Sequence, residues 1–226
     1  MLFAIIGVQR SVLAKASAEF FVGESMKVLI DGENLRHRLA GILYQRKKIA
    51  DKNANFKFDL YGFLQDSLRT KSLDVVYYTT RIKQPDYKIP VNLQKLITSI
   101  SESNRRWIAD LTNQDISIVK SGYLSVRESN KCVHCGKKTL VLQEKGVDVR
   151  IATDLVIESQ KSQKKEIVLG SSDSDLIPAI QAAARLGQKT TYFCYAGWLN
   201  RAVATHAYKT ITFDDALVLK HFKGDK

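Results

Sequence analysis

At 226 residues the chain fits one ordinary α/β domain with some decoration, or one domain plus a small appendage, a length that argues against a multidomain machine. Hydrophobic residues make up 45% of it, enough for a full core, and 35 Lys and Arg against 23 Asp and Glu leave a formal net charge of +12. Such a surplus of one sign attracts a polyanion, either nucleic acid or an anionic membrane surface.

In chain order, Met1 to Val8 is apolar but lacks the basic start and cleavage pattern of a signal peptide, and it is too short to span a bilayer. Residues 1–25 read as a loosely attached N-terminal extension, with Met26 standing directly before the first convincing strand as an alternative start. Lys27 to Ile30 is that strand; it ends in Asp31-Gly32, and Leu35, Leu39, Ile42 and Leu43 follow at helical spacing. A second helix is predicted over Leu60 to Leu68, a strand over Asp74 to Thr79, and a helix over Asn92 to Leu111. Ile116 to Val126 reads as extended and residues 128–142 as a hairpin insert carrying cysteines. Val147 to Ser159 resumes a helix. Ile167 to Leu169 is a compact buried strand, with a helix over Leu176 to Leu186, a strand over Thr190 to Tyr195, a short helix, and a strand over Lys209 to Phe213. Residues 214–226 form a C-terminal helix and tail. Strands separated by helices need long crossover connections, so the expected fold is α/β, with a mainly parallel sheet covered by helices on both faces.

In such sheets ligands collect at the carboxyl ends of the strands, where strand order reverses. Asp31 directly follows the first strand, and Asp173 and Asp175 follow the strand at Ile167. Carboxylates ~4 Å apart repel by about 4 kcal/mol per pair at an effective dielectric near 20, so a cation must sit among them or their pKa values must rise. Ligation by carboxylate oxygen alone suits Mg²⁺ or Mn²⁺, hard ions that also bind phosphate oxygens. Taken singly, Asp173 reads more readily as a helix N-cap, and Asp31-Gly32 as an ordinary turn. Convergence of the acids favours the metal reading.

Three blocks carry a resemblance. Val28-Leu29-Ile30-Asp31-Gly32-Glu33-Asn34-Leu35, then Glu144 to Leu155 (EKGVDVRIATDL), then Leu169 to Pro178 (LGSSDSDLIP) resemble, in this order, the NYN domain family of PIN-like ribonucleases, over roughly Met26 to Phe213. The resemblance implies a Rossmann-like three-layer sandwich over residues 26–213 and a metal-dependent ribonuclease. It further implies acidic Mg²⁺ or Mn²⁺ ligands at Asp31, Asp148, Asp173 and Asp175, and Asn34 as an orienter of water or phosphate. Asp154 matches a further acid of the family. Six residues along a helix turn through about 240°, so Asp148 and Asp154 face one point only if Asp148 stands at the helix start. A surface or capping role for Asp154 is the alternative. The family usually has Gly before the third acid, where this chain has Ser172.

Cys132-x-x-Cys135-Gly136 has the form of a zinc knuckle, with His134, Cys194 and His206 as candidates for the remaining ligands or a homodimer pairing two knuckles. Three cysteines are too few for a disulfide framework, and a reducing, cytoplasmic compartment follows. Arg36, Arg38, Lys47, Lys48 and Lys145, with Arg105, Arg106, Lys161, Lys164 and Lys165, offer phosphate contacts, and Tyr77, Tyr78, Trp107 and Trp198 offer stacking surfaces, with core packing the alternative for Tyr77 and Trp107. RNA is the expected partner and a membrane is not. The rival readings are a non-catalytic module that binds RNA or a protein, and a nucleotide-dependent enzyme. The second is disfavoured because neither Gly-x-Gly-x-x-Gly nor a phosphate-loop Gly-Lys-Ser/Thr is present.

Overall fold

The computed structural model describes residues 25–83, 89–162 and 165–225. The expected extension lies, except for Ser25, outside these residues, as does Lys164.

The first described strand stands at the centre of the sheet. β1 (Met26–Asp31) pairs in parallel with β3 (Leu73–Ile82) on one side and with β6 (Ile167–Gly170) on the other. The sheet has 7 strands in the order β5-β4-β3-β1-β6-β7-β8, with β4 at Ser117–Glu128, β5 at Leu140–Lys145, β7 at Thr190–Tyr195 and β8 at Lys209–Phe213. All neighbours are parallel except β4 and β5, which form the hairpin expected around the cysteines. From β1 the chain moves outward through β3 and β4, then returns to the other side of β1 at β6. The carboxyl ends of β1 and β6 therefore flank the switch point at which such sheets bind ligands.

Period-2 alternation sorts the residues of β1 into two cores. Val28 and Ile30 point into one cluster, built with Leu35, Leu39 and Leu43 of α1 (Gly32–Gln45), Phe63 and Leu64 of α2 (Leu60–Leu68), and Trp107 and Leu111 of α3 (Val91–Thr112). Leu29 points into the other, with Ile151 and Leu155 of α4 (Val147–Ser159), Ile180 and Ala183 of α5 (Ile177–Arg185) and Val203 of α6 (Arg201–His206). These clusters make the expected three layers, and the arrangement is that of a PIN-like α/β fold.

Two elements escaped local reading. Phe56–Phe58 forms β2, and after α7 (Asp215–His221) the tail does not stay helical; Phe222–Asp225 forms β9, antiparallel to β2 in a separate two-stranded sheet. Neither segment is long enough to show a period. Their pairing is fixed by packing, with Phe56 and Phe58 both buried and His221 reaching Asp66 at 2.9 Å. Among the described residues no helix is long and apolar enough to cross a membrane.

Candidate active site

The Asp31-Gly32 turn is locked from beneath. Tyr77 donates its hydroxyl to the Gly32 carbonyl at 2.7 Å, and Trp107 Nε1 donates to Tyr77 Oη at 2.9 Å, so both aromatics serve the core and not base stacking. Any Cβ at residue 32 would run into the Tyr77 ring and the Tyr78 carbonyl, which makes Gly obligatory where β1 bends into α1. Asp31 N-caps α1 by accepting from the Asn34 backbone N–H at 3.1 Å, and its second oxygen accepts from the Ser171 hydroxyl at 3.0 Å. The residue is only 7% exposed. Burial pushes its pKa from the ordinary 3.8 up to about 6; the two hydrogen bonds oppose that rise, and the charges of Asp148 and Glu33 add to it.

Across an open cavity stands Asp148, in the first turn of α4. The helix starts directly after Gly146, whose φ of 93° is left-handed and open only to a residue without Cβ, and this start delivers Asp148 to the cavity wall. Burial raises the Asp148 pKa, and the charges of Asp173 and Asp175 raise it further. Asp173 lines the same cavity and N-caps the 3-10 turn Ser174–Leu176, accepting from the Asp175 N–H at 2.8 Å. The capping reading is thus correct, and the same carboxylate still faces the cavity. Asp175 is exposed and acts on Asp148 through charge.

The cavity wall holds groups that the sequence did not single out. Glu144, at the end of β5, has its pKa raised to about 7 because its carboxyl is partly drawn out of water and faces Glu33, Asp31 and Asp148. Glu33 and His37 complete the rim with Asn34 and Lys145. His37 follows Asn34 at helical i, i+3 spacing, a signal open to sequence reading; Glu144 depends on the β4–β5 pairing and left none.

Other expected residues are placed elsewhere. Asp154 does not line the cavity, although Asp148 does stand at the start of α4: Asp154 accepts from the Tyr78 hydroxyl at 2.8 Å and from Arg150 Nε at 2.9 Å, and these partners hold it away from the site. Arg36 is turned inward to Ser103 Oγ at 2.6 Å, whereas Arg38 lies 3.7 Å from the centroid of the Trp198 ring beside the site. Lys47 and Lys48 follow the C-terminal end of α1, whose 14 residues span about 20 Å, so they stand far from Asp31. Lys161 and Lys165 border a cleft with Lys27 and Ile167, at the opposite end of the strands. Ser172 is not at positive φ; its hydroxyl accepts from Tyr192 at 2.8 Å and its carbonyl from Asn200 Nδ2 at 2.9 Å, so the departure from Gly is absorbed.

Cys132 and Cys135 are exposed free thiols on a tight turn, in which Gly136 takes φ 65° and the Cys132 carbonyl accepts from the Gly136 N–H at 2.8 Å. Donors from Cys135 and His134 hold the Cys132 thiol below its usual pKa. Cys194 is buried in β7. Among the described residues no three His, Cys, Asp or Glu side chains close around one point as metal ligands, either at the knuckle or among the aspartates.

The family profile described as NYN domain matches residues 25–210. The chain belongs to the NYN domain family. NYN domains are a PIN-like nuclease family, so the fold is a nuclease-like one. The structure is also similar to the crystal structure of a protein of unknown function from Vibrio parahaemolyticus, with a TM-score of 0.49 and 15% identity over 88% of this chain and 96% of that one. A comparison with curated proteins finds no match.

Proposed function

We propose that this NYN domain is a metal-dependent ribonuclease that hydrolyses RNA phosphodiester bonds, with Mg²⁺ or Mn²⁺ drawn into the cavity that Asp31, Asp148 and Asp173 line, where these carboxylates would have to close in to hold it, and with Asp175 contributing charge at the rim. The observation that carries the proposal is the buried Asp31 carboxyl at the switch point, raised to about 6 while facing Asp148 across the cavity. Its donor set is oxygen alone, the chemistry that suits a hard dication. Bound there, the ion would supply a Lewis acid for the phosphoryl group and lower the pKa of water.

Asp31 is aimed by the Asn34 N–H and the Ser171 hydroxyl, and it must lose its proton to serve as a ligand, so the site gains competence as pH rises through about 6. Asp173 is fixed by its own cap, and Asp148 by the start of α4. The Asn34 side chain, on the cavity wall, is placed to hold a phosphate oxygen, while Lys145 and His37 stand where the entering strand carries its charge. Asp154 holds α4 to β3 through Tyr78 and acts on the site only through the placement of Asp148.

The test is cleavage of an end-labelled single-stranded RNA with Mn²⁺, with Mg²⁺ and with EDTA, with Asp173→Asn run alongside. The expected result is cleavage that needs metal and vanishes in the variant, which keeps its fold because Asn is an equally good N-cap. RNA binding without cleavage in every lane would replace the nuclease by a binding module.

A further inference from the structure

A second feature lies beside the acidic cavity, and the metal chemistry does not use it. One helical turn beyond Asn34, and on the same side of α1, Arg38 joins Leu35, Ser171, Ser172 and Trp198 in a shallow cleft. Asn34 lines both the cleft and the acidic cavity, so the two are contiguous. Trp198 ends the 3-10 turn Ala196–Trp198 that follows β7, and it is 58% exposed. The Arg38 guanidinium stacks against the indole, 3.7 Å from its centroid.

Arg38 differs from the arginines whose guanidinium groups are already engaged by a polar partner. Arg46 is paired with Asp215, Arg150 with Asp154, and Arg36 donates to Ser103. Among the described residues Arg38 has neither an ion pair nor a hydrogen-bond acceptor, although it is partly withdrawn from water. A partly desolvated guanidinium with its donors unspent is a receptor for an anion, and phosphate matches its fork. The indole beneath it presents free aromatic surface. Its loop is also tied to the acidic site: Asn200 donates to the Ser172 carbonyl at 2.9 Å, and Tyr192 to the Ser172 hydroxyl at 2.8 Å, one residue from Asp173. The platform is therefore held at a fixed distance from the aspartates.

We propose that Arg38 and Trp198 form a subsite for the nucleotide adjacent to the scissile phosphate of an unpaired RNA strand, Arg38 taking a backbone phosphate and Trp198 stacking on the base. The assignment rests on the nucleic-acid reading of the acidic cavity and adds a substrate class to it. A base in a duplex is stacked on both sides and offers no free face, whereas any unpaired base does, so the subsite selects single strands with little regard to sequence.

The test uses fluorescence anisotropy with a labelled single-stranded RNA of roughly 12 nucleotides and its duplex, and the full chain carrying Asp173→Asn so that the probe survives. Trp198→Ala is expected to weaken single-strand binding roughly 5- to 150-fold, Trp198→Phe to restore most of it, and neither to move duplex binding. Arg38→Gln is expected to flatten the slope of log affinity against log salt by about 0.7. Equal losses for both probes, or no loss with Trp198→Ala, would overturn the subsite, and no binding of any RNA would overturn it together with the nucleic-acid reading. Cleavage by the chain with Asp173 intact is scored separately. Cleavage with Trp198-independent binding removes the subsite alone, and Trp198-dependent binding without cleavage keeps the subsite and removes the nuclease.

Discussion

Asp31→Asn is expected to make the protein more stable at neutral pH in the presence of EDTA. In the folded chain the carboxyl titrates near 6 and not at its ordinary 3.8, so above pH 6 the ionised form costs folding about 3 kcal/mol, at 1.36 kcal/mol for each pKa unit. Asn keeps the cap, because its oxygen still accepts from the Asn34 N–H, but exchanging the charged acceptor of the Ser171 hydroxyl for an amide gives back about 1 kcal/mol. The net gain of about 2 kcal/mol corresponds to a rise in Tm of roughly 4–8 °C for a chain of this size. The sign with pH is fixed by proton uptake: between pH 3.8 and about 6 the folded state binds more protons than the unfolded state, so wild-type stability falls as pH rises through that window and then levels. Thermal melts in EDTA, read by circular dichroism at pH 4.5 and pH 7.5, should show a gap at the higher pH that narrows at the lower. Mg²⁺ or Mn²⁺ should raise the wild-type Tm and leave the variant unmoved. A variant that melts below wild type at pH 7.5, or a gap that ignores pH, would refute the reasoning and make Asp31 a purely structural cap.

Gly32→Ala forces a methyl into the Tyr77 ring and the Tyr78 carbonyl, and should destabilise by about 3 kcal/mol, visible as a lowered urea midpoint with an unchanged slope. Asp154→Asn should leave RNA cleavage within a few-fold of wild type while lowering stability by about 1 kcal/mol through the weakened bond to Tyr78; Asp148→Asn should do the reverse, and equal losses of cleavage in the two variants would return Asp154 to the ligand set.

The local sequence was enough to place β1, the Asp31-Gly32 turn, α1, and β6 with the acids after it, because each is a short period or turn signal complete within about ten residues. Parallel order followed from the crossovers, and with it the switch point. The rotation along α4 left Asp154 open as either a site acid or a surface one, and the structure decided it, with Asp148 on the cavity wall and Asp154 bound to Tyr78 and Arg150. What the sequence could not supply were contacts made across long stretches of chain. Glu144 enters the acidic group only because β5 folds back on β4, and β2 pairs with a strand that follows it by more than 160 residues. Arg36 and Arg38 look alike in the sequence. Two residues along a helix turn the chain through about 200°, and this sends one to the half-buried Ser103 of α3 and leaves the other over Trp198 at the edge of the site. Lys47 and Lys48 are close to Asp31 in the sequence and far from it in space, because a helix converts sequence distance into length along an axis. Residue types and local periods thus determined which chemistry the chain carries and on which strand ends, while the packing of α1, α4 and the hairpin around β1 decided which side chains share the cavity.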